Sequence, residues 1–272
     1  MSDAGPDRVT YAYAVLHGGG AAPVEAVPAD LAGVAGAPVR LVPGPPGAEL
    51  AAAVSGVPAA DFQEAALRRH LEDLEWLETV ARAHHTVIEG LSARATVLPL
   101  RLATVYLDDA RVGAMLADGR EMFTACLARL EGHLEWGVKI YVEDAPDEAP
   151  AAPPAEDAAD LSPGRAYLRA RRVQRHSRED AHHEARRAAE SVAAIGRELA
   201  VDHARHRVQQ GELAGDAGEN VVNDAYLVAR EHAEAFRVRV QDAAAGLTGV
   251  RVEVTGPWAP YSFAAVPEGA PS

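Results

Sequence analysis

Cysteine is almost missing from this chain: Cys126 stands alone among 272 residues. That excludes an internal disulfide and a multi-cysteine zinc site, and it fits a reducing compartment. Long apolar runs are missing too. No uninterrupted stretch reaches the roughly 18 residues of a membrane span, and Met1 to Pro6 has neither a basic n-region nor an apolar h-region. The expectation is a cytosolic protein, neither secreted nor integral to a bilayer. Positive charge is scarce, with 26 basic against 40 acidic residues and a net charge of -14. Such a balance repels phosphate backbones and anionic lipid, so nucleic acid and lipid membranes are not expected as partners. Lysine is reduced to Lys139, and the arginine and alanine that dominate reflect a GC-rich coding bias rather than a mechanism.

Catalytic signatures are equally sparse. Gly18-Gly19-Gly20 follows a strand-like segment, but no G-x-G-x-x-G or G-K-[ST] accompanies it, so it reads as a flexible turn rather than a phosphate loop. G-x-S-x-G and H-E-x-x-H are absent, and Cys126 lies among Phe123, Leu127 and Leu130 as a small buried hydrophobe would. The histidine pairs His84-His85, His182-His183 and His203/His206 suggest metal ligands. A nearby acid committed as a third ligand is lacking, however, and His84 and His203 fall on apolar stripes. No catalytic, cofactor-binding or metal-ligating residue is expected.

What is present is enough to fold. The chain is 48% hydrophobic and 24% charged, as in ordinary globular proteins, and its length suits one large or two smaller domains. Strands are expected at Val9–Leu16, Val39–Val42, Leu50–Val57, within Thr96–Leu107 with Pro99 at an edge or bulge, and at Trp136–Glu143, Val221–Val228 and Gly249–Thr255. Asp61, with Glu64 three residues on, is expected to cap one long helix. Its stripe is Leu67, His70, Leu71, Leu74, Leu77, Ala81, His84, Ile88 and Leu91. Asp108 to Leu130 reads as helical, Asp108-Asp109 serving as its cap. A second long helix is expected from Gly164 to Gln209, with 11 arginines against six acids. Its arginines are either a solvated face, Glu198 and Asp202 pairing with Arg205, or a docking surface for an acidic or helical partner. The boundary is placed in the Pro-rich, acidic segment 144–160. This gives a domain at 1–143, a linker at 144–160 and a domain at 161–272, each α+β.

Five segments in series resemble the gas vesicle protein GvpL/GvpF family. They are Tyr11-Ala-Tyr-Ala-Val15; Thr96-Val-Leu-Pro-Leu-Arg101 with Thr104-Val-Tyr106; Glu135-Trp-Gly-Val-Lys-Ile140; Asn223-Asp-Ala-Tyr-Leu-Val228; and Val254-Thr-Gly-Pro-Trp-Ala-Pro-Tyr-Ser-Phe263. Gly164-Arg-Ala-Tyr-Leu168 opens the second half as in relatives. Two positions depart from the family pattern: Arg101-Leu-Ala-Thr104 stands for Arg-Phe-Gly-Thr, and Ala259 for a proline. Loss of that glycine predicts a slightly altered local backbone, because its easy access to positive φ is gone.

The resemblance implies two α+β domains, a modified ferredoxin-like sheet with helices at the N-terminus and a C-terminal α+β domain with a long helix. It implies a non-enzymatic minor structural or accessory role in gas vesicle assembly, in the vesicle within the cytoplasm, with the shell protein GvpA and other vesicle proteins as partners and no cofactor. Pro99, Arg101, Trp258, Tyr261 and Phe263 are the expected partner-binding positions, against a core role for the aromatics. The alternative is a small-molecule-binding or enzymatic protein on a ferredoxin-like scaffold.

Overall fold

The computed structural model describes residues 7–17, 27–28, 30–47, 49–70, 72–143, 163–208 and 218–264. The expected linker at 144–160 and Gly18–Gly20 lie outside them. The chain divides into two compact units, 1–133 with 258–272, and 134–257.

The first unit is organised by β1, Arg8–His17, whose residues between its two ends are all buried. β-Branched and aromatic side chains suit a strand covered on both faces. β3, Leu50–Pro58, runs antiparallel to it from Arg8↔Pro58 to His17↔Leu50, with a bulge between Ala12 and Ala14 that leaves Tyr13 as the extra residue. β2, Arg40–Pro43, pairs with β3 on the outside, while β4, Val97–Pro99, and β5, Val105–Tyr106, both pair with β1. The order β2-β3-β1-β4 is that of a split βαβ, ferredoxin-like sheet. Pro99 sits on the edge strand β4, where a missing amide donor costs least.

The expected long helix is broken into three: α1, Ala59–Phe62; α2, Glu64–His70; and α3, Leu74–Ser92. The cap of α3 is Asp73, which accepts from the amides of Glu75 and Trp76, not Asp61, which instead faces His70 at 3.9 Å. Leu74 is exposed, Leu71 lies outside the described residues, and the buried row is Val80, His84, Val87, Ile88 and Leu91. That row packs with Tyr11, Tyr13, Leu16 and Phe62 in the first core. α4, Asp109–Asp118, and α5, Arg120–Leu130, follow, and Asp108 caps α4 through the Arg111 amide as expected. Asp109 also holds Arg40 in a two-pronged ion pair, which keeps its carboxyl below the ordinary range.

The second unit repeats the topology. β6, His133–Val142; α6, Pro163–Leu199; β7, Ala200–Arg205; β8, Glu219–Ala229; α7, Ala233–Asp242; and β9, Val250–Trp258, form a sheet ordered β7-β8-β6-β9. Its core gathers Trp136, Val138, Ile140, Val192, Ile195, Tyr226, Phe236 and Val240. Three expectations are corrected here. The helix expected to reach Gln209 ends at Leu199 and passes directly into β7. β6, counted with the first domain, is hydrogen-bonded into the second sheet, whereas residues 258–264 return to the first unit. Glu198 pairs with Arg239 of α7 at 2.7 Å, and Arg205 lies 4.0 Å from Asp224, so the expected Glu198/Asp202 pairing with Arg205 is not what holds this region.

α6 approaches β8 closely because position 196 is glycine: a methyl there would overlap the Tyr226 ring. Gly196→Ala is expected to destabilise the second unit by about 1–3 kcal/mol, the usual cost of overpacking a filled core. Urea unfolding followed by the fluorescence of Trp136, buried in that unit, measures it, and an unchanged midpoint would refute the close approach.

Candidate interaction surface

Between β4 and β5, opposite the bulge, the five residues Leu100 to Thr104 leave the ladder with β1 and form a turn. The Leu100 amide donates to the Tyr13 carbonyl at 2.8 Å and the Ala12 amide to the Thr104 carbonyl at 2.9 Å, pinning both ends of the excursion. The Thr104 hydroxyl and amide both donate to the Arg101 carbonyl, closing the turn. Ala103 takes φ +61. The substituted alanine thus adopts the left-handed conformation that a glycine would take freely.

Under this turn lies a buried polar chain. The Ala103 amide donates to the Tyr11 hydroxyl oxygen at 3.0 Å, and that hydroxyl lies 3.0 Å from Nδ1 of His84. With the hydroxyl donating to Nδ1, the imidazole proton lies on Nε2, an atom with no hydrogen-bond partner among the described residues. Burial lowers the His84 pKa to about 4, the Leu100 carbonyl partly opposing and His85 adding repulsion. Burial likewise drives the Tyr11 and Tyr13 hydroxyls upward.

Outside the chain of buried groups sits His85, half-buried on the same helix. Its ring stacks on Tyr261 at 5.9 Å and stands 5.9 Å from Trp258, its Nδ1 is 3.2 Å from the Tyr261 hydroxyl, and its Nε2 is 3.2 Å from Glu89. Tyr261 is near enough to Tyr11 to act on its ionisation. Segments far apart in the sequence thus meet at α3: the middle of β1 and the 100–104 turn through His84, and Trp258 and Tyr261 through His85.

The five expected partner-binding residues separate. Trp258 is 38% and Tyr261 37% exposed, and Arg101 and Leu102 are exposed on the turn. Pro99 and Phe263 are buried, so neither forms surface; Phe263 anchors its segment, its carbonyl accepting from Arg129 at 2.7 Å. Sequence reasoning weighed His85 only as a metal ligand paired with His84 and missed its contact with Trp258 and Tyr261.

The second unit holds a cavity of about 570 Å³ between α6 and β7–β8, bordered by Arg197, His203, Arg205, His206, Asp224 and Tyr226. His203 and His206 are not one helical face, since β7 carries the first and the second follows it. His203 Nε2 lies 3.0 Å from Asp224, and its ring stacks on Tyr226 at 4.7 Å. Burial and Asp224 push the Tyr226 hydroxyl up to about 12, which leaves it protonated and poorly suited as a base. These groups fasten the edge strand to β8. Among the described residues no three His, Cys, Asp or Glu side chains are grouped to hold a metal ion, and no helix is long and apolar enough to cross a membrane.

Fold and rim together define a protein of two ferredoxin-like α+β units with an aromatic surface on the first. The model of the family described as gas vesicle synthesis protein GvpL/GvpF matches residues 9–265. Gas vesicle protein L of Streptomyces sp. (strain CB03234) is 43% identical over 270 residues, spanning 96% of this chain and 95% of that protein. The crystal structure of GvpF from Anabaena sp. PCC7120 superposes with a TM-score of 0.63 at 17% identity, covering 95% of this chain and 97% of that one. That of GvpF from Microcystis aeruginosa gives 0.59 at 16%, covering 95% and 99%. The last two share the fold. The chain belongs to the gas vesicle GvpL/GvpF family.

Two measurements test the chemistry under the turn. The His84 pKa is depressed from 6.5 to about 4, so the unfolded chain binds more protons between these values and stability falls as pH drops through that window. The loss is up to ~3 kcal/mol by pH 4. Melting temperature against pH should show this slope, and His84→Gln should flatten it; an equal slope in both proteins contradicts the assignment. Ala103→Gly is expected to stabilise by about 0.5–1 kcal/mol, since relief of the left-handed penalty exceeds the added freedom of the unfolded chain. A lower denaturation midpoint in this variant would reverse that reading.

Proposed function

We propose that this protein is a non-enzymatic accessory or minor structural component of gas vesicle assembly, acting at the vesicle within the cytoplasm. It binds the small hydrophobic shell protein GvpA, and other vesicle proteins, through the rim of Arg101, Trp258 and Tyr261. The family supports the setting. The observation that carries the surface is that Trp258 and Tyr261 are held half-exposed by His85 instead of being drawn into the core. Rigid, partly exposed aromatic rings and arginine are the residue types that dominate protein contacts, because they bury much area for little lost entropy.

The shell protein, co-expressed with this protein carrying a tag, should be captured specifically and should resist high salt, as an apolar contact does. The variant Trp258→Ala with Tyr261→Ala is expected to lower capture about tenfold or more with circular dichroism and melting temperature unchanged. Phe263→Ala, in contrast, should lower the melting temperature, since that ring is buried. Full capture by the double variant would move the contact elsewhere. No capture by folded wild type would remove the shell protein as a direct partner.

A further inference from the structure

α6 is 37 residues long, about 55 Å, and its C-terminal half packs in the second core. Ala181, Ala185, Ala188, Val192 and Ile195 bury against the second sheet, whereas every described side chain from Arg169 to Asp180 is exposed. The exposed half is chemically uniform. Between positions 169 and 178 it carries Arg169, Arg171, Arg172, Arg175 and Arg178 and no aspartate or glutamate. Arg169/Arg172, Arg171/Arg175 and Arg175/Arg178 are neighbours at helical spacing and repel one another, which works against a solvated helix. A helix polar all round needs many opposite-charge pairs or a partner. Arg178 reaches Glu219 at 3.1 Å, but Arg169, Arg172 and Arg175 make no ion pair among the described residues. Among these charges Val173 is 63% exposed.

The same layout with the opposite sign occurs on the first unit. Where α3 begins, Glu72, Asp73, Glu75 and Glu78 are all exposed around Leu74, which at 79% is the most exposed large apolar side chain described. Asp73 is occupied as the cap and Glu78 with Arg82, while Glu72 and Glu75 have no ion pair among the described residues. We propose that the arginine-rich half of α6 is a docking surface for a second copy of this chain, engaging the acidic turn around Leu74. Guanidinium–carboxylate pairs would ring a contact between Val173 and Leu74. Polyphosphate is the less suitable occupant, because the rest of the chain carries more negative charge than the net -14. The contact joins two different patches, so it is heterologous and copies add head to tail. It is independent of the shell-protein surface, sharing no residue with it.

Sedimentation velocity over a concentration series tests it with two full-length variants altered only at exposed positions. One is Arg169→Glu, Arg172→Glu and Arg175→Glu; the other is Glu72→Arg, Glu75→Arg and Glu78→Arg. Wild type should associate progressively with concentration. Each variant alone should associate about tenfold more weakly, with unchanged circular dichroism, and an equimolar mixture of the two should regain association because each supplies the complement the other lost. A wild type that stays monomeric at the highest attainable concentration overturns the proposal. So does association that survives either reversal, or a mixture that stays apart. A labelled DNA duplex bound by wild type and released by the first variant, without self-association, would assign the helix to nucleic acid instead.

Discussion

A strand buried along both faces can carry no unsatisfied polar group, and β1 imposes that requirement on everything around it. Its amides and carbonyls are taken by β3 on one side and by β4, β5 and the turn between them on the other. Its two tyrosines are the harder problem, since each brings a hydroxyl into the core. Tyr13 resolves this by accepting from the Val34 amide at 2.8 Å, and Tyr11 by joining the Ala103 amide to His84. The Tyr11 hydroxyl thus ties the 100–104 turn to α3, through the Ala103 amide and the His84 ring.

The two units share a strand order and differ in what crosses the sheet. In the second, α6 connects β6 to β7 and covers one face with a row of small residues, so close that Gly196 is required against Tyr226. In the first, the described residues between β1 and β2 contain a 3-10 turn at Val34–Gly36 and no α-helix, and α3 with α1 and α2 supplies the cover. One sheet is thus bound to a long helix that continues past it into solvent, while the other is closed by shorter pieces and by the returning C-terminal segment.

Most strands were legible because β-branched and aromatic residues stand between glycine, proline and charge, as at Val9–Leu16 and Val221–Val228. β7 was not: Ala200-Val-Asp-His-Ala-Arg205 contains little strand propensity and continues the three/four spacing of the helix before it, so only pairing with β8 makes it a strand. The break before α3 was hidden in the same way, because leucines at 67, 71, 74 and 77 keep helical spacing across it while Leu74 faces solvent. At the rim, Arg101, Trp258 and Tyr261 could be picked from the sequence as residue types suited to contact. Their support could not, because His85 and Tyr261 are 176 positions apart. Pro99 and Phe263 look alike in sequence to their exposed neighbours and are separated from them only by burial.

The second unit begins at residue 134 and ends at 257, in strands that lie side by side. The Glu143 amide donates to the Gly249 carbonyl at 3.0 Å, and a Cβ on Gly137 would come within 2.7 Å of Thr255 Oγ1, which fixes β6 and β9 as antiparallel neighbours. The chain therefore enters and leaves this unit at one doorway, and the unit is an insertion within the first rather than a domain appended to it. Its removal would bring residue 133 beside residue 258, a gap that a short turn can close, so the first unit with its own C-terminal strap has the connectivity of a free-standing protein.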